Sequence, residues 1–274
     1  MTPGLRRGLS HLVGWLADRR IPTRLRPSVL RTFARATGAD LGEVELALAG
    51  YPSLSAFFVR RLRPGARPID ADPRAIVAPC DGTLQALDRV HRGTLLQAKG
   101  RAYPLEEFLG PPSPALDRPA LDREGSLAFT IYLCPRDYHR VHAPCAAELA
   151  EVRWLGGDRR SVAPAVLARR ERVLATNERA VLRLESAEGT WYLVMVGALN
   201  VGRIRVVGVE PGRSPSRPVS LEKGAELARF ELGSTVVLVA PPGSVEPLAE
   251  LAPGLALRLG RKIAHRIEPR QELP

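Results

Sequence analysis

The stretch Phe230-Glu231-Leu232-Gly233-Ser234-Thr235-Val236-Val237-Leu238-Val239 places a Gly-Ser pair directly before a run of β-branched and apolar residues. Such a run is typical of a buried strand, so we predict a strand over Ser234–Val239. Serine in a turn before a strand is usually structural, and this is not the Gly-x-Ser-x-Gly elbow of α/β hydrolases. However, Gly233 tolerates strained backbone and leaves its carbonyl open to attack by the Ser234 hydroxyl.

Similar short runs, separated by turn residues, recur from about residue 75 onward. The further predicted strands are Gly125–Leu133, Ala180–Leu184, Trp191–Val196 and Arg203–Val209. With 24 Gly and 25 Pro in 274 residues, the chain favours many short elements, and Pro111–Pro119 is predicted to be a surface loop. We predict an α+β fold with a mainly antiparallel β catalytic domain. The predicted divisions are an N-terminal helical segment (1–50), the catalytic domain (51–264) and a C-terminal tail (265–274).

The N-terminal segment predicts two short amphipathic helices within residues 5–37. Their first apolar face is built from leucines spaced by four, three and four positions: Leu5, Leu9, Leu12 and Leu16. Pro22 interrupts the pattern and Pro27 opens the second helix. An apolar face flanked by arginines suits either packing on its own domain or a membrane surface. Ser53 is predicted to cap a further short helix over 54–61.

Charge is concentrated at the amino end of the chain. The net charge is +11, and residues 1–70 hold 12 arginines against 5 acidic residues. A basic end suits an anionic lipid surface or a nucleic acid. The sequence lacks the interleaved aromatic and basic residues of stacking platforms, so we expect no nucleic-acid partner.

The cysteines and the apolar runs indicate the compartment. Cys80, Cys134 and Cys145 are odd in number and form no CxxC pair, which fits a reducing cytoplasm. No apolar run approaches the roughly 18 residues of a membrane span, and Leu12–Leu16 is too short for a signal-peptide core. We expect a cytoplasmic protein that is peripheral if it binds membranes.

Two further stretches concentrate reactive side chains. Asp81-Gly82 follows a strand-like run and is typical of a turn. His139 and His142 lie three apart between two prolines, a spacing that places both imidazoles on one face if the turn is helical. Such a pair serves as metal ligands together with Asp137 or a cysteine, as acid–base groups, or as hydrogen-bonded structural residues. A metal-dependent hydrolase using His139 and His142 is therefore an alternative function.

Asp81, His142 and Ser234 follow one another along the chain in an order that suits an orienter, a base and a nucleophile. Order alone does not establish such a triad, because many proteins contain an Asp…His…Ser series.

These motifs, taken together, resemble the bacterial pyruvoyl-dependent phosphatidylserine decarboxylases of the Leu-Gly-Ser-Thr type. The resemblance covers roughly residues 10–264, and its most specific part is the histidine motif with Leu-Gly-Ser-Thr downstream. The matching stretches are Phe57–Leu62, Arg67–Asp70, Pro79–Gly82, Leu96–Gly100, Pro135–His142, Asn177–Arg179, Val196–Ala198, Val201–Gly202, Lys223–Glu226 and Leu232–Thr235.

The resemblance implies a precursor that cleaves itself between Gly233 and Ser234. Asp81 would orient His142, and His142 would take the proton from Ser234 as its Oγ attacks the Gly233 carbonyl. The resulting ester would eliminate and hydrolyse, leaving a covalent pyruvoyl cofactor derived from Ser234. Chains 1–233 and 234–274 would stay together as a heterodimer. The resemblance implies no metal.

The resemblance also implies the reaction and the partners. The pyruvoyl ketone would condense with the amine of phosphatidylserine and take up electrons as CO₂ leaves, giving phosphatidylethanolamine. His139 would act in this phase, as proton donor or as binder of the headgroup carboxylate. A lipid substrate favours the membrane interpretation of the N-terminal face, at the cytoplasmic side of an anionic membrane, and we expect a further homo-oligomer.

Four positions depart from the family pattern. Cys80 stands where alanine is usual, Arg203 where a small residue is common, and Arg159 and Arg160 where apolar or aromatic residues are common. We expect the paired arginines to alter headgroup or acyl-chain contacts if their segment lines the lipid pocket.

Overall fold

The computed structural model describes residues 3–98, 101–111, 123–198, 204–231 and 234–267. The mainly antiparallel α+β fold predicted from the sequence is confirmed. The helices of these residues are α1 (Pro3–Asp18), α2 (Arg26–Thr37), α3 (Leu54–Phe58), α4 (Leu105–Leu109), α5 (Pro164–Leu167) and α6 (Val173–Thr176), with a 3-10 turn at Leu48–Gly50. The strands are β1 (Ala75–Val77), β2 (Gly82–Arg89), β3 (Thr94–Ala98), β4 (Arg101–Pro104), β5 (Leu127–Leu133), β6 (Arg140–His142), β7 (Ala147–Leu155), β8 (Arg179–Ser186), β9 (Gly189–Val196), β10 (Ile204–Val206), β11 (Val219–Leu221), β12 (Glu226–Phe230), β13 (Ser234–Val239), β14 (Val245–Pro247), β15 (Ala256–Leu257) and β16 (Lys262–Arg266).

An antiparallel sheet of eight strands forms the core, in the order β11-β7-β8-β9-β13-β5-β2-β15. The strand predicted at Ser234–Val239 is β13, which lies in the interior of this sheet between β9 and β5. All six of its residues are buried, as expected for an apolar run with no solvent-facing side. Two three-stranded sheets, β10-β12-β6 and β1-β16-β14, and the hairpin β3-β4 complete the β structure of the described residues.

The other predicted strands are confirmed with shifted ends. Gly125–Leu133, Ala180–Leu184 and Trp191–Val196 correspond to β5, β8 and β9. The strand predicted over Arg203–Val209 is shorter, because the chain turns after Val206 and bridges back to it from Val209; Arg203 lies outside the described residues. Strand β16 continues through Arg266, two residues into the predicted tail, and 268–274 lie outside the described part. Of the predicted loop 111–119, only Pro111 is described.

The N-terminal segment contains the two predicted helices, α1 and α2, separated at Pro22. Ser53 caps α3 as predicted, since its Oγ accepts a hydrogen bond of 3.1 Å from the Ala56 amide. The helix ends at Phe58, three residues before the predicted end. A second, small core joins α2 to α3 through buried residues that span residue 50, the predicted boundary: Leu30, Val44, Tyr51 and Phe57.

Helix α1 keeps much of its apolar face outside that core. Leu12, Trp15 and Leu16 are each more than half exposed, whereas Ala17 is buried. The Arg19 guanidinium lies 3.6 Å from the centre of the Trp15 ring. None of the helices in the described ranges is both long enough and apolar enough to cross a bilayer.

Two chain connections lead between the large sheet and one of the small sheets. The first leads from β5 to β6, and the second leads from β12 to β13. Because β5 pairs with β13 and β6 pairs with β12, the two connections have neighbouring ends. The first connection and β6 carry the histidine motif, and Ser234 follows the second connection, so the fold brings the histidine motif close to the start of β13.

Candidate active site

Ser234 is the first residue of β13 and lies opposite Leu133, the last residue of β5. Its side chain is fully buried, and its Oγ has no hydrogen-bond partner in the described part of the chain. Buried hydroxyls are normally satisfied, so an unpartnered one requires an explanation. Gly233, the other residue of the predicted cleavage site, lies outside the described residues.

His139 precedes β6 and is held against the neighbouring connection. Its carbonyl accepts a hydrogen bond of 3.0 Å from the Phe230 amide, and its ring Nε2 donates to the Cys134 carbonyl at 2.9 Å. Complete burial lowers the pKa of His139 to about 3; the Cys134 contact opposes this shift and the nearby charge of Arg60 adds to it. The imidazole is therefore neutral, with a buried Nδ1 lone pair that has no partner among the described residues.

Hydrogen bonds in both directions join the end of helix α3 to the histidine motif. The buried Arg60 side chain donates to the Arg136 carbonyl at 2.8 Å. In return, Arg140 donates to the Val59 carbonyl at 2.8 and 3.0 Å and pairs with Glu226. These reciprocal contacts dock the end of α3 onto the segment that carries His139.

His142 occupies a different environment. Its Nδ1 donates to the Gly224 carbonyl at 2.8 Å, which leaves Nε2 to accept from the Tyr138 hydroxyl at 3.3 Å. Burial lowers the pKa of His142, although the Gly224 contact and the charges of Glu226 and Asp81 partly oppose this effect. The ring is thus held as a neutral base, and it lines a pocket of about 260 Å³ beside Tyr138 and Arg67.

The interpretation that places His139 and His142 on a helical turn is wrong. His142 ends strand β6, and residues three apart in extended chain project to opposite sides. The two rings accordingly have different partners, the Cys134 and Gly224 carbonyls. Nowhere in the described ranges do three or more His, Cys, Asp or Glu side chains gather in a way that could hold a metal ion. This geometry does not support the metal-dependent hydrolase.

Asp81 precedes β2 at the same end of the large sheet. Its Oδ1 accepts from the Leu259 amide at 2.9 Å, and Arg67 binds both carboxylate oxygens. Gly82 follows with φ 155°, and a Cβ there would lie 2.6 Å from the Tyr132 carbonyl oxygen. Glycine is therefore needed at position 82, where β2 approaches β5.

The structure brings the predicted triad to one region without joining it by hydrogen bonds. Strand β5 separates β2 from β13, and Tyr132 of β5 pairs with Thr83 on one side and Thr235 on the other, so the backbones of Thr83 and Thr235 are about 10 Å apart, or two strand spacings. Among the described residues, no hydrogen bond links His142 to Asp81 or to Ser234. The Gly224 carbonyl takes the orienting position predicted for Asp81, whose negative charge nevertheless favours protonated His142.

The unusual arginines after β7 are neutralised by their neighbours. Arg159 Nε and Nη2 lie 2.9 Å from a Glu178 carboxylate oxygen, and Arg160 Nε lies 3.0 Å from Asp158. These pairs give no sign of a free cationic site for a lipid headgroup. Cys80, which stands where alanine is usual, is fully buried next to Asp81 in the sequence.

Several residues that build this site had no predicted role. Tyr138, Arg60 and Arg67 all lie in the quoted motifs, so their pattern was visible but their contacts were not. Gly224 acts through its backbone carbonyl, which leaves no side-chain signal.

Comparison with known proteins identifies the family. The sequence model of the family described as phosphatidylserine decarboxylase matches residues 54–265. The phosphatidylserine decarboxylase proenzyme of Halorhodospira halophila is 41% identical over 270 residues, covering 90% of each chain. The proenzyme of an Anaeromyxobacter species is 39% identical, and the match covers 93% of each chain. The proenzyme of Myxococcus xanthus is 35% identical, and the match covers 93% of this chain and 92% of its own. The chain belongs to the phosphatidylserine decarboxylase family.

Proposed function

We propose that this protein converts phosphatidylserine to phosphatidylethanolamine and CO₂ after cutting its own chain between Gly233 and Ser234. The observation that carries the proposal is the buried Ser234 Oγ, which has no partner among the described residues, at the start of an interior strand that pairs with the end of β5, from which the chain continues into the histidine motif. The relatives are named as proenzymes, which supports processing of the chain before activity.

Self-processing begins at Ser234. Its Oγ attacks the Gly233 carbonyl while His142 accepts the hydroxyl proton at Nε2, which requires the Tyr138 hydroxyl to move away. The C–N bond then breaks with the Ser234 nitrogen as the leaving group; the nitrogen takes the proton from His142 and becomes a free amine, so the peptide bond is replaced by an ester. Elimination across the Ser234 Cα–Cβ bond releases the Gly233 carboxylate, and hydrolysis of the resulting dehydroalanine releases ammonia and leaves a pyruvoyl group.

The surroundings of Ser234 suit that group. The site is fully buried and bordered by Leu133 across the sheet, which would exclude water from a reactive ketone. When formed, the pyruvoyl group supplies an electron sink for the loss of CO₂.

His139 is suited to move the proton that this decarboxylation needs. Its neutral ring has no proton at Nδ1, so it must take one up there before it can act as a donor. After CO₂ leaves, the protonated ring donates that proton to the substrate Cα. Because the pKa of His139 is about 3, the protonated form gives up its proton readily.

The N-terminal segment would bring the site to its lipid substrate. Leu12, Trp15 and Leu16 form an exposed apolar face on α1, and Arg19 lies against Trp15 in a segment with excess positive charge. This combination supports peripheral binding to the cytoplasmic face of an anionic membrane. A further homo-oligomer remains a prediction.

The mass of the denatured wild-type protein tests the proposed function. We expect two chains, ending at Gly233 and beginning at residue 234, with the smaller chain carrying a pyruvoyl group in place of a free amino terminus. Ser234→Ala should give one uncut, inactive chain. Ser126→Ala is a matched control, because Ser126 is also a fully buried serine with an unpartnered hydroxyl but precedes the far end of β5; it should be cut normally. Active wild-type protein of uncut mass would refute the proposal.

A further inference from the structure

Arg67 joins two carboxylates with a single guanidinium group. Its Nε lies 2.8 Å from Asp81 Oδ1 and its Nη2 lies 2.6 Å from Asp81 Oδ2. On the other side, Nη1 and Nη2 lie 2.9 and 2.8 Å from the two oxygens of Glu43. Nη1 also donates to the Ala66 carbonyl at 2.7 Å, so these contacts use all five N–H donors.

This arrangement is largely shielded from water. The exposed fractions are 9% for the Arg67 side chain, 8% for Asp81 and 21% for Glu43. Burial alone would lower the pKa of Arg67, but the hydrogen bonds to Asp81 and Glu43 raise it above its usual range. The guanidinium therefore stays charged, and its planar fork fixes the orientation of both carboxylates.

Glu43 changes the net charge of the group formed by Arg67, Asp81 and Glu43. Arg67 alone would neutralise Asp81, whereas one guanidinium shared by two carboxylates leaves one net negative charge in the group. The Leu259 amide fixes Asp81 Oδ1 from the other side. Asp81 thus keeps a fixed position and part of its negative field, and that field favours protonated His142.

We propose that Arg67 is a positioning residue for self-processing, and that Glu43, from the N-terminal segment, keeps Arg67 from neutralising Asp81. This inference rests on the proposed function and extends it. When His142 takes the Ser234 proton, its new positive charge is stabilised by the fixed Asp81 carboxylate without a direct hydrogen bond. In the part of the chain that the structure describes, the hydrogen bonds of Arg67 go to Asp81, Glu43 and Ala66 and none goes to Ser234.

The consequence is that residue 43, which precedes the residues matched by the family model, contributes to cutting at residue 233. Arg258 also reaches Glu43, at 3.2 Å, but its side chain is mostly exposed and solvent screens its charge. We therefore expect it to matter much less than Arg67.

The test measures the rate at which newly translated chains are cut in a cell-free system. Arg67→Met should slow processing by about a hundredfold, as expected when a catalytic group is misplaced by about 1 Å. Arg67→Lys keeps the charge without the fork and should fall between Arg67→Met and wild type. Glu43→Gln keeps the size of the side chain and should also slow processing.

A second measurement separates positioning from a general structural role. The cut fraction of each variant is isolated, and kcat for phosphatidylserine is measured per pyruvoyl group; kcat should fall much less than the processing rate. Arg266→Met is the matched control, since it removes a part-buried ion pair with Glu188, in the turn at the opposite end of the large sheet. It should be processed at the wild-type rate.

Each outcome decides the inference. Wild-type processing rates in both Arg67→Met and Glu43→Gln would overturn it. Equal losses of processing rate and kcat, together with a lower Tm in the uncut Ser234→Ala background, would overturn it in favour of a structural role. If Arg67→Met does not fold, Arg67→Lys and Glu43→Gln decide in the same way. An uncut but active wild type would instead refute the proposed function itself.

Discussion

The ring of Phe58 lies against the imidazole of His139, with ring centroids 4.0 Å apart and an angle of 31° between the planes. Phe58 ends helix α3, and its neighbour Phe57 belongs to the small core shared with α2. The N-terminal helices therefore contact the histidine motif through one continuous line of packing. The burial that keeps His139 neutral is supplied partly by this segment.

Phe58→Leu should raise the pKa of His139 above its value of about 3, because a smaller side chain excludes less water from the imidazole. The measurement is an NMR titration of the histidine ring protons in the uncut Ser234→Ala protein. We expect a loss of about 1–2 kcal/mol in the free energy of unfolding as well. Phe129→Leu, at a fully buried position on β5, should cost similar stability without moving the His139 titration. An unchanged titration in Phe58→Leu would show that other residues exclude the water.

Stability should decrease in mild acid, and His139 should account for part of the decrease. Its pKa is lowered by folding, so between about pH 6.5 and pH 3 the unfolded chain binds a proton that the folded chain does not. The free energy of unfolding then falls as pH falls, by up to about 1.4 kcal/mol per pH unit from this group. Denaturant unfolding of Ser234→Ala should show this slope. His139→Gln in the same background should reduce it, and equal slopes would contradict the assignment.

Tyr138→Phe should speed self-processing. The Tyr138 hydroxyl occupies the His142 Nε2 lone pair, so it must leave before His142 can accept a proton. A hydrogen bond between neutral groups is worth about 0.5–1.5 kcal/mol, which corresponds to a rate about two- to tenfold higher without it. The fraction of cut chain against time measures the effect. Slower processing would indicate that the hydroxyl passes on the proton instead.

Replacing Trp15 and Leu16 together with serine should weaken binding to vesicles of phosphatidylglycerol and phosphatidylcholine by tenfold or more. Each exposed apolar side chain contributes roughly 1.5–3 kcal/mol when it is removed from water. Vesicle sedimentation measures the binding. Leu255→Ser removes an exposed leucine far along the chain and should leave binding unchanged. Equal binding by all three proteins would contradict the role of α1.

Local signals predicted local structure well. The apolar run of β13 and the Ser53 cap depend on residues a few positions apart, and both are present as predicted. The strand at Arg203–Val209 was predicted too long because Gly208, which adopts φ 71° in the turn after Val206, was taken as part of the strand. Strands of two or three residues, such as β15, leave too short a pattern to recognise and form because a partner strand is available.

The candidate site was predictable in its residues but not in its contacts. A spacing of three is compatible with one face of a helix and with opposite sides of a strand, and only the pairing of β6 with β12 decides between them. Likewise, an acid, a histidine and a serine in order do not reveal that Arg67 binds the acid. Arg67 and Asp81 are 14 positions apart in the sequence, and Arg67 and Glu43 are 24 positions apart, so only the fold brings them into contact.

Because β13 lies in the interior of the large sheet, we expect that the protein can refold before the proposed cut but not after it. On the uncut chain, the strand between β9 and β5 is inserted while it is covalently attached to its neighbours. After the proposed cut, a denatured protein would have to regain that strand from a separate 41-residue fragment, so refolding would depend on concentration. We expect the precursor to recover from denaturant and the mature protein to aggregate, because its large chain would expose the edges of β9 and β5. The proposed cut would therefore give the protein its activity and remove its ability to refold.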